Sequence, residues 1–179
     1  MKTIFLRKRF SFVAGMMAIL AILSFSSCDP GSGGPGDDSS GDTGFIDQNL
    51  QGKINGKTYA FVSGEVEESP FNPGSLDFDL YNIPRDDTLP FGYPFGGYLK
   101  VMFNVPAQVG KTSLFWNLST GENETLTLYD PDAGSYNHIV TEGSIEILTL
   151  TDTEITGRIW ANGDTENTVN GNFTVPRVQ

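Results

Sequence analysis

The chain is rich in carboxylates and poor in imidazole and thiol: 22 Asp and Glu stand against one His and one Cys. Asp77 and Asp79 lie two apart, as do Glu65 and Glu67, so each pair shares one face of an extended strand. Two carboxylates about 5 to 9 Å apart across a cleft can serve glycoside hydrolysis. On a strand without a cleft the same residues form a solvated face. Asp130-Pro-Asp132-Ala-Gly-Ser135 and Asn162-Gly-Asp164-Thr-Glu166 carry the alternating oxygen ligands that calcium uses, but neither has the acidic spacing of an EF-hand loop. Turn chemistry accounts for both runs without an ion. No cofactor is therefore expected, and calcium is the one ion these loops bring into consideration. His138, beside Tyr136, would need Ser135 or Ser144 as a nucleophile, and no nucleophile-elbow glycine pattern surrounds either serine. A lone His and a lone Cys also exclude a zinc site built on several such ligands.

Aromatic residues offer a second kind of chemistry. The run Phe91-Gly-Tyr93-Pro-Phe95-Gly-Gly-Tyr98 places four rings among glycines and a proline, with Phe71 upstream. Rings on such a loop either stack on a ligand, glycan or protein, or fold back to plug an end of the fold. Phe91, Tyr93, Phe95 and Tyr98 are the candidate ligand-binding residues.

The elements that must position these residues are strands. All 17 aromatic residues beyond Cys28 lie from Phe45 onward, and hydrophobicity there alternates with a period of two. Leu99, Val101, Phe103 and Val105 alternate with Lys100, Met102 and Asn104. Ile155, Gly157, Ile159 and Ala161 share one face of a later strand, as do Val169, Gly171, Phe173 and Val175 of the last. The pattern predicts strands near 49–54, 57–63, 76–82, 98–105, 112–118, 124–130, 136–141, 143–151, 154–162 and 168–175, some of which merge. Asn55-Gly56 reads as a two-residue hairpin, and Asn162-Gly163-Asp164 as the turn joining the last two strands. No stretch carries a 3.6-residue period. Without helices to cover it, an antiparallel sheet buries its apolar side against a second sheet or closes on itself. We therefore expect an all-β fold, an antiparallel β-sandwich with a closed or partly open β-barrel as the alternative. Gly157 and Gly171, on inward faces of adjacent strands, predict a bend or a close backbone approach.

The N-terminus has a different composition. Lys2, Arg7, Lys8 and Arg9 precede an uncharged apolar run from Phe10 to Phe25, which ends in Ser26-Ser27-Cys28. The run falls short of the roughly 20 residues that span a bilayer as a helix, so it reads as the helical core of a signal peptide. Residues 29–44 hold six Gly, two Pro, four Asp and nothing apolar, a flexible linker that cannot bury surface. The expected organisation is a signal peptide over 1–27, a modified Cys28 with an acidic disordered linker over 28–44, and a β-domain over 45–179.

Small residues directly before the only Cys resemble the lipobox of bacterial lipoproteins, in which the thiol is acylated and the peptide is cut before it. Lipidation would remove the liability of a free thiol, and several acyl chains would hold the protein on a membrane permanently. Cleavage would take away four of the eleven basic residues, moving the net charge from −11 to −15. So acidic a body is repelled by anionic headgroups and stands off the surface. The acidity also argues against a nucleic-acid partner.

The lipobox, the Gly/Asp-rich tether and the closing meander Gly143-Ser-Ile-Glu-Ile, Ile155-Thr-Gly-Arg-Ile and Val169-Asn-Gly-Asn-Phe-Thr-Val resemble Bacteroidota-type lipoproteins with a single β-domain of unknown function. In these, acidic residues soon after the acylated Cys, here Asp29, Asp37 and Asp38, resemble signals for export to the outer face. The resemblance implies an outer-membrane lipoprotein, with the cell surface favoured over the periplasmic face. Asp87-Thr88-Leu89 resembles the O-glycosylation triplet of the same bacteria. Fimbrial lipoproteins are a further relative by resemblance, but they are cut at a basic residue in the first strand, and no Arg occurs between Cys28 and Arg85. Together these features predict a non-catalytic binding or interaction module held to the membrane by its N-terminal lipid, its partner a glycan or a protein. A carboxylate-dependent glycan hydrolase and a structural or fimbrial envelope component are the alternatives.

Overall fold

In the computed structural model, residues 44–177 are described; the expected signal peptide, Cys28 and nearly all of the expected linker lie outside them. The period-two segments form β1 (Gln51–Ile54), β2 (Lys57–Ala60), β3 (Ser63–Glu68), β4 (Ser75–Tyr81), β5 (Lys100–Pro106), β6 (Gly110–Trp116), β7 (Asn123–Glu124), β8 (Leu126–Asp130), β9 (Tyr136–Val140), β10 (Gly143–Leu150), β11 (Glu154–Asp164) and β12 (Asn167–Pro176). Among the described residues the only helical turn is a 3₁₀ turn, Pro131–Ala133. Strand order is β2-β1-β12-β11-β10-β6-β7 in one antiparallel sheet and β3-β4-β5-β8-β9 in the other. The two pack face to face as a β-sandwich. The barrel alternative is set aside, because β3 and the end of β12 meet in the single bridge Val66–Arg177 rather than in a closing ladder.

The core lies between the sheets and is built from alternate residues of each strand. Val66, Leu76, Phe78, Leu80, Val101, Phe103, Leu126 and Leu128 face Ile145, Ile147, Ile155, Ile159, Val169, Phe173 and Val175, all buried. Phe78 stacks on Phe103 at 4.6 Å, and Phe173 of the opposite sheet meets both edge-on at 5.8 and 5.9 Å. Gly157 pairs with Phe173 across β11 and β12, and a Cβ at 157 would collide with that ring. The close approach expected at this glycine is thus a seat for Phe173. Gly171, at φ +133°, comes within contact of the Gln48 and Asn49 carbonyls, a conformation and a distance that only glycine accommodates.

Asn55 and Gly56, with φ of 52° and 75°, form the expected two-residue hairpin. Two predicted strands are each divided between the sheets. In 57–63 the Phe61 amide bonds the Leu50 carbonyl of the first sheet at 2.8 Å, and the Val62 amide bonds the Tyr81 carbonyl of the second at 2.9 Å. In 124–130 the corner falls at Thr125, between β7 on β6 and β8 on β5. The predicted turn at Asn162-Gly163-Asp164 is corrected: β11 runs through to Asp164, with a bulge at Gly163 beside the His138 imidazole. The turn is Thr165-Glu166, closed by Asp164 Oδ1 accepting the Glu166 amide at 2.8 Å and the Asn167 side chain at 2.9 Å.

Candidate functional site

The outward-facing side chains of the five-stranded sheet stand in three cross-strand rows. The first is Ser63, Tyr81, Lys100, Tyr129 and Asn137; the second is Glu65, Asp79, Met102, Thr127 and Ile139; the third is Glu67, Asp77 and Asn104. Residues 82–99, the connection from β4 to β5, fold over the first row. Their base is closed by Leu99 N–H on Asn82 Oδ1 at 2.6 Å, and their far end by Gly97 N–H on the Asp132 carboxylate at 3.0 Å.

The four candidate rings separate into two pairs. Tyr93 is buried, stacked on Tyr81 with 3.6 Å between centroids and hydrogen-bonded through its hydroxyl to Ser63 Oγ at 3.2 Å. Tyr98 meets Tyr81 edge-on at 5.4 Å and lies 6.3 Å from the Tyr129 ring. Phe91 and Phe95 point away from the protein, 71% and 91% exposed. The folded-back tyrosines cover the outer face of the sheet, with Arg85 over Tyr93 and Lys100 over both Tyr81 and Tyr129. Burial, then the charges of Asp79 and Glu65, hold the Tyr81 phenol far above its ordinary range. Burial likewise raises Tyr93 and Tyr98. All three remain neutral at physiological pH, so the cluster is a packed anchor with polar tips, not a set of bases.

Below the tyrosines the same face opens into a shallow groove of about 420 Å³ lined by Asp77, Asp79, Met102, Asn104, Glu124 and Thr127. The four carboxylates singled out by spacing meet instead in an adjoining depression of about 150 Å³, Glu65 opposite Asp79 and Glu67 opposite Asp77. Three of them accept from donors: Arg85 on Glu65 at 2.6 Å, Lys100 on Asp79 at 3.0 Å, and Asn104 on Asp77 at 2.6 Å. Phe71, at the turn from β3 to β4, is 93% exposed.

The two runs considered for calcium meet at one end of the sandwich. The Asp130 carboxylate, fully buried, accepts from Lys57, from Asn55 Nδ2 at 3.0 Å and from the Asp132 amide at 3.2 Å. Burial opposes its charge, but the bonds from Lys57 and Asn55 outweigh that and hold its pKa below the ordinary value. Asn167, also buried, accepts from the Asn55 amide and donates to Tyr136 and Asp164. Among the described residues no group of three or more His, Asp and Glu is arranged to hold a metal ion. His138 Nδ1 lies 3.2 Å from the Tyr136 hydroxyl and its Nε2 4.0 Å from Asp164; neither Ser135 nor Ser144 is among its partners. Thr88 is exposed, its hydroxyl donating to Asp86 at 2.6 Å. Cys28, the expected lipidation site, lies outside the described residues.

A second cleft holds a residue that the carboxylates and the aromatic loop leave out, Trp160. The alternation of β11 puts this indole on the polar face, beside Arg158 and Asn162, which is the sequence signal for it. It lines a cavity on the outer face of the seven-stranded sheet with Gln48, Gln51 and Thr168. Among the described residues no helix is long and apolar enough to cross a membrane. Comparison of the chain with protein families, with curated proteins and with solved structures finds no match.

Proposed function

We propose that the chain is a non-catalytic recognition module of a bacterial envelope, held at the outer membrane by a lipid on Cys28 and binding a protein partner through Phe91 and Phe95. The cell surface is the favoured side. The observation that supports this most is the division of labour within residues 82–99. Tyr93 and Tyr98 spend their rings on fixing the loop, which leaves two phenylalanines exposed on a backbone already held in place. Exposed aromatics on a preorganised loop make good anchors, because little conformational entropy is lost when they dock. Phe side chains carry no polar handle, which suits an apolar pocket on a protein better than a hydroxyl-rich ligand.

The alternative of a carboxylate-dependent hydrolase would draw on Glu65, Glu67, Asp77 and Asp79. Arg85, Lys100 and Asn104 occupy three of these as hydrogen-bond donors, which suits charge compensation better than proton transfer.

The test uses the full chain. Wild type and a Phe91→Ala/Phe95→Ala variant are expressed in the envelope and cross-linked, and the captured proteins are compared. A partner retained by wild type and lost by the variant is expected; identical capture by both would overturn the loop assignment. Cys28→Ala should release the protein from washed membranes, and retention of that variant would overturn the lipid anchor.

A further inference from the structure

We propose that the cleft beside Trp160 is a second binding site, separate from the aromatic loop, and that it takes a neutral saccharide unit. The cleft holds about 320 Å³, within the range of small-ligand pockets, and lies on the outer face of the seven-stranded sheet. Its position follows from register. Gln51, Asn170 and Trp160 form one cross-strand row, and Thr168 and Asn162 pair in the next.

The lining is uncharged. Gln48, Gln51, Trp160, Asn162, Thr168 and Asn170 supply its side chains, in a chain with 33 ionisable Asp, Glu, Lys and Arg residues. Glu142, at the rim, is engaged by Asn162 Nδ2 at 3.3 Å. The lining itself carries no formal charge, and one group of each sign flanks it, Lys53 opposite Thr168 in the second row and Glu142 on Asn162, so neither an anionic nor a cationic ligand is favoured.

The incoming segment before β1 organises the cleft. Asn170 is consumed by it: Oδ1 accepts the Ile46 amide at 2.9 Å, and Nδ2 donates to the Gly44 carbonyl at 2.6 Å. Gln48 donates to the Asn170 carbonyl at 3.2 Å and accepts from Gln51 Nε2 at 2.9 Å. Gly44 rests on the indole so closely that a Cβ there would sit 2.7 to 3.0 Å from three ring atoms. The ring is thereby held in one orientation. Three groups keep unused capacity among the described residues: Gln51 Oε1, Asn162 Oδ1 and the Thr168 hydroxyl. Two acceptors and one donor-acceptor beside an aromatic wall suit vicinal hydroxyls on an otherwise C–H-rich ring.

The chain has two tryptophans, so a full-length Trp116→Phe variant makes Trp160 the sole indole reporter. Its emission is titrated with dextran, mannan and laminarin, with polygalacturonate as the anionic control and an unstructured peptide as the amide control. A saturable change with at least one neutral polysaccharide is expected. It should weaken about tenfold or more in Asn162→Ala/Thr168→Val, whose folding is checked by circular dichroism, and stay unchanged in Phe91→Ala/Phe95→Ala. No saturable change with any of the three overturns the site. So does an equal response to polygalacturonate, a response to the peptide alone, or binding that survives Asn162→Ala/Thr168→Val.

Discussion

Lys57 Nζ lies 2.8 Å from the carboxylate of Asp130, joining the edge hairpin of the seven-stranded sheet to the end of β8 in the five-stranded one. Asp130 is fully buried, whereas the Lys57 side chain is half exposed. The pair therefore works less as a surface ion pair than as the satisfaction of a carboxylate already out of water.

Lys57→Met should destabilise the protein by about 1–3 kcal/mol in urea unfolding, because Asp130 would keep only Asn55 and the Asp132 amide. The folded pKa of Asp130 lies below its ordinary 3.8, so the contribution of its charge is present above that value. It is lost as pH falls through the lower, folded value. Asp130→Asn should accordingly unfold more easily than wild type at neutral pH, with the difference shrinking once the pH drops well below 3.8. A difference independent of pH would show that the charge is not what matters.

Loop anchor and loop contact should separate on mutation. Phe91→Ala and Phe95→Ala should leave stability within about 0.5 kcal/mol, since neither ring packs on the domain. Tyr93→Ala removes a ring stacked on Tyr81 and should cost about 2 kcal/mol, part from the ring pair and part from lost burial. It should also speed hydrogen exchange at the Asp86 and Gly92 amides, which bond within the loop. Unchanged exchange there would mean that the turn 86–92 holds itself.

Gly157→Ala tests the core. The added methyl meets the Phe173 ring and the Glu146 carbonyl, and overpacking of this kind costs about 1–3 kcal/mol. Phe173→Leu in the same chain should recover part of that loss, a coupling read from a double-mutant cycle of thermal unfolding. Simple additivity of the two would place the strain on the Glu146 carbonyl.

Much of this fold is legible in the sequence because alternation reports burial directly. Ile155 to Ala161 and Val169 to Val175 face inward as their spacing predicts, and Asn55-Gly56 turns where it should. The corners at Phe61-Val62 and Thr125 escaped, because a strand that passes from one sheet to the other keeps its alternation while changing partners. β3 shows in the sequence only as the shared face of Glu65 and Glu67 and not as an apolar run, because Val66 is its only inward apolar side chain large enough to show. Asn162-Gly163 misled as a turn because the glycine there serves a bulge against His138, a residue distant in sequence. At the aromatic loop the composition identified the rings, but only packing decides which of them face inward. Tyr93 finds Tyr81, a partner on β4, and Phe91 and Phe95 find none on the domain.

The two corners also bear on how the chain reaches its native state. Neither sheet is assembled from one contiguous stretch, and β1 pairs with β12, Gln51 opposite Asn170. Contacts so distant in sequence make folding slow. A chain emerging N-terminus first therefore holds the β1–β2 hairpin with its lateral partner missing until nearly the whole domain has been delivered. Until then Ile54 and Tyr59 have the five-stranded sheet to close on, as in the Tyr59 hydroxyl on the Leu80 carbonyl, but no lateral strand to hold them there, which makes the last strand the step that commits the domain to its fold.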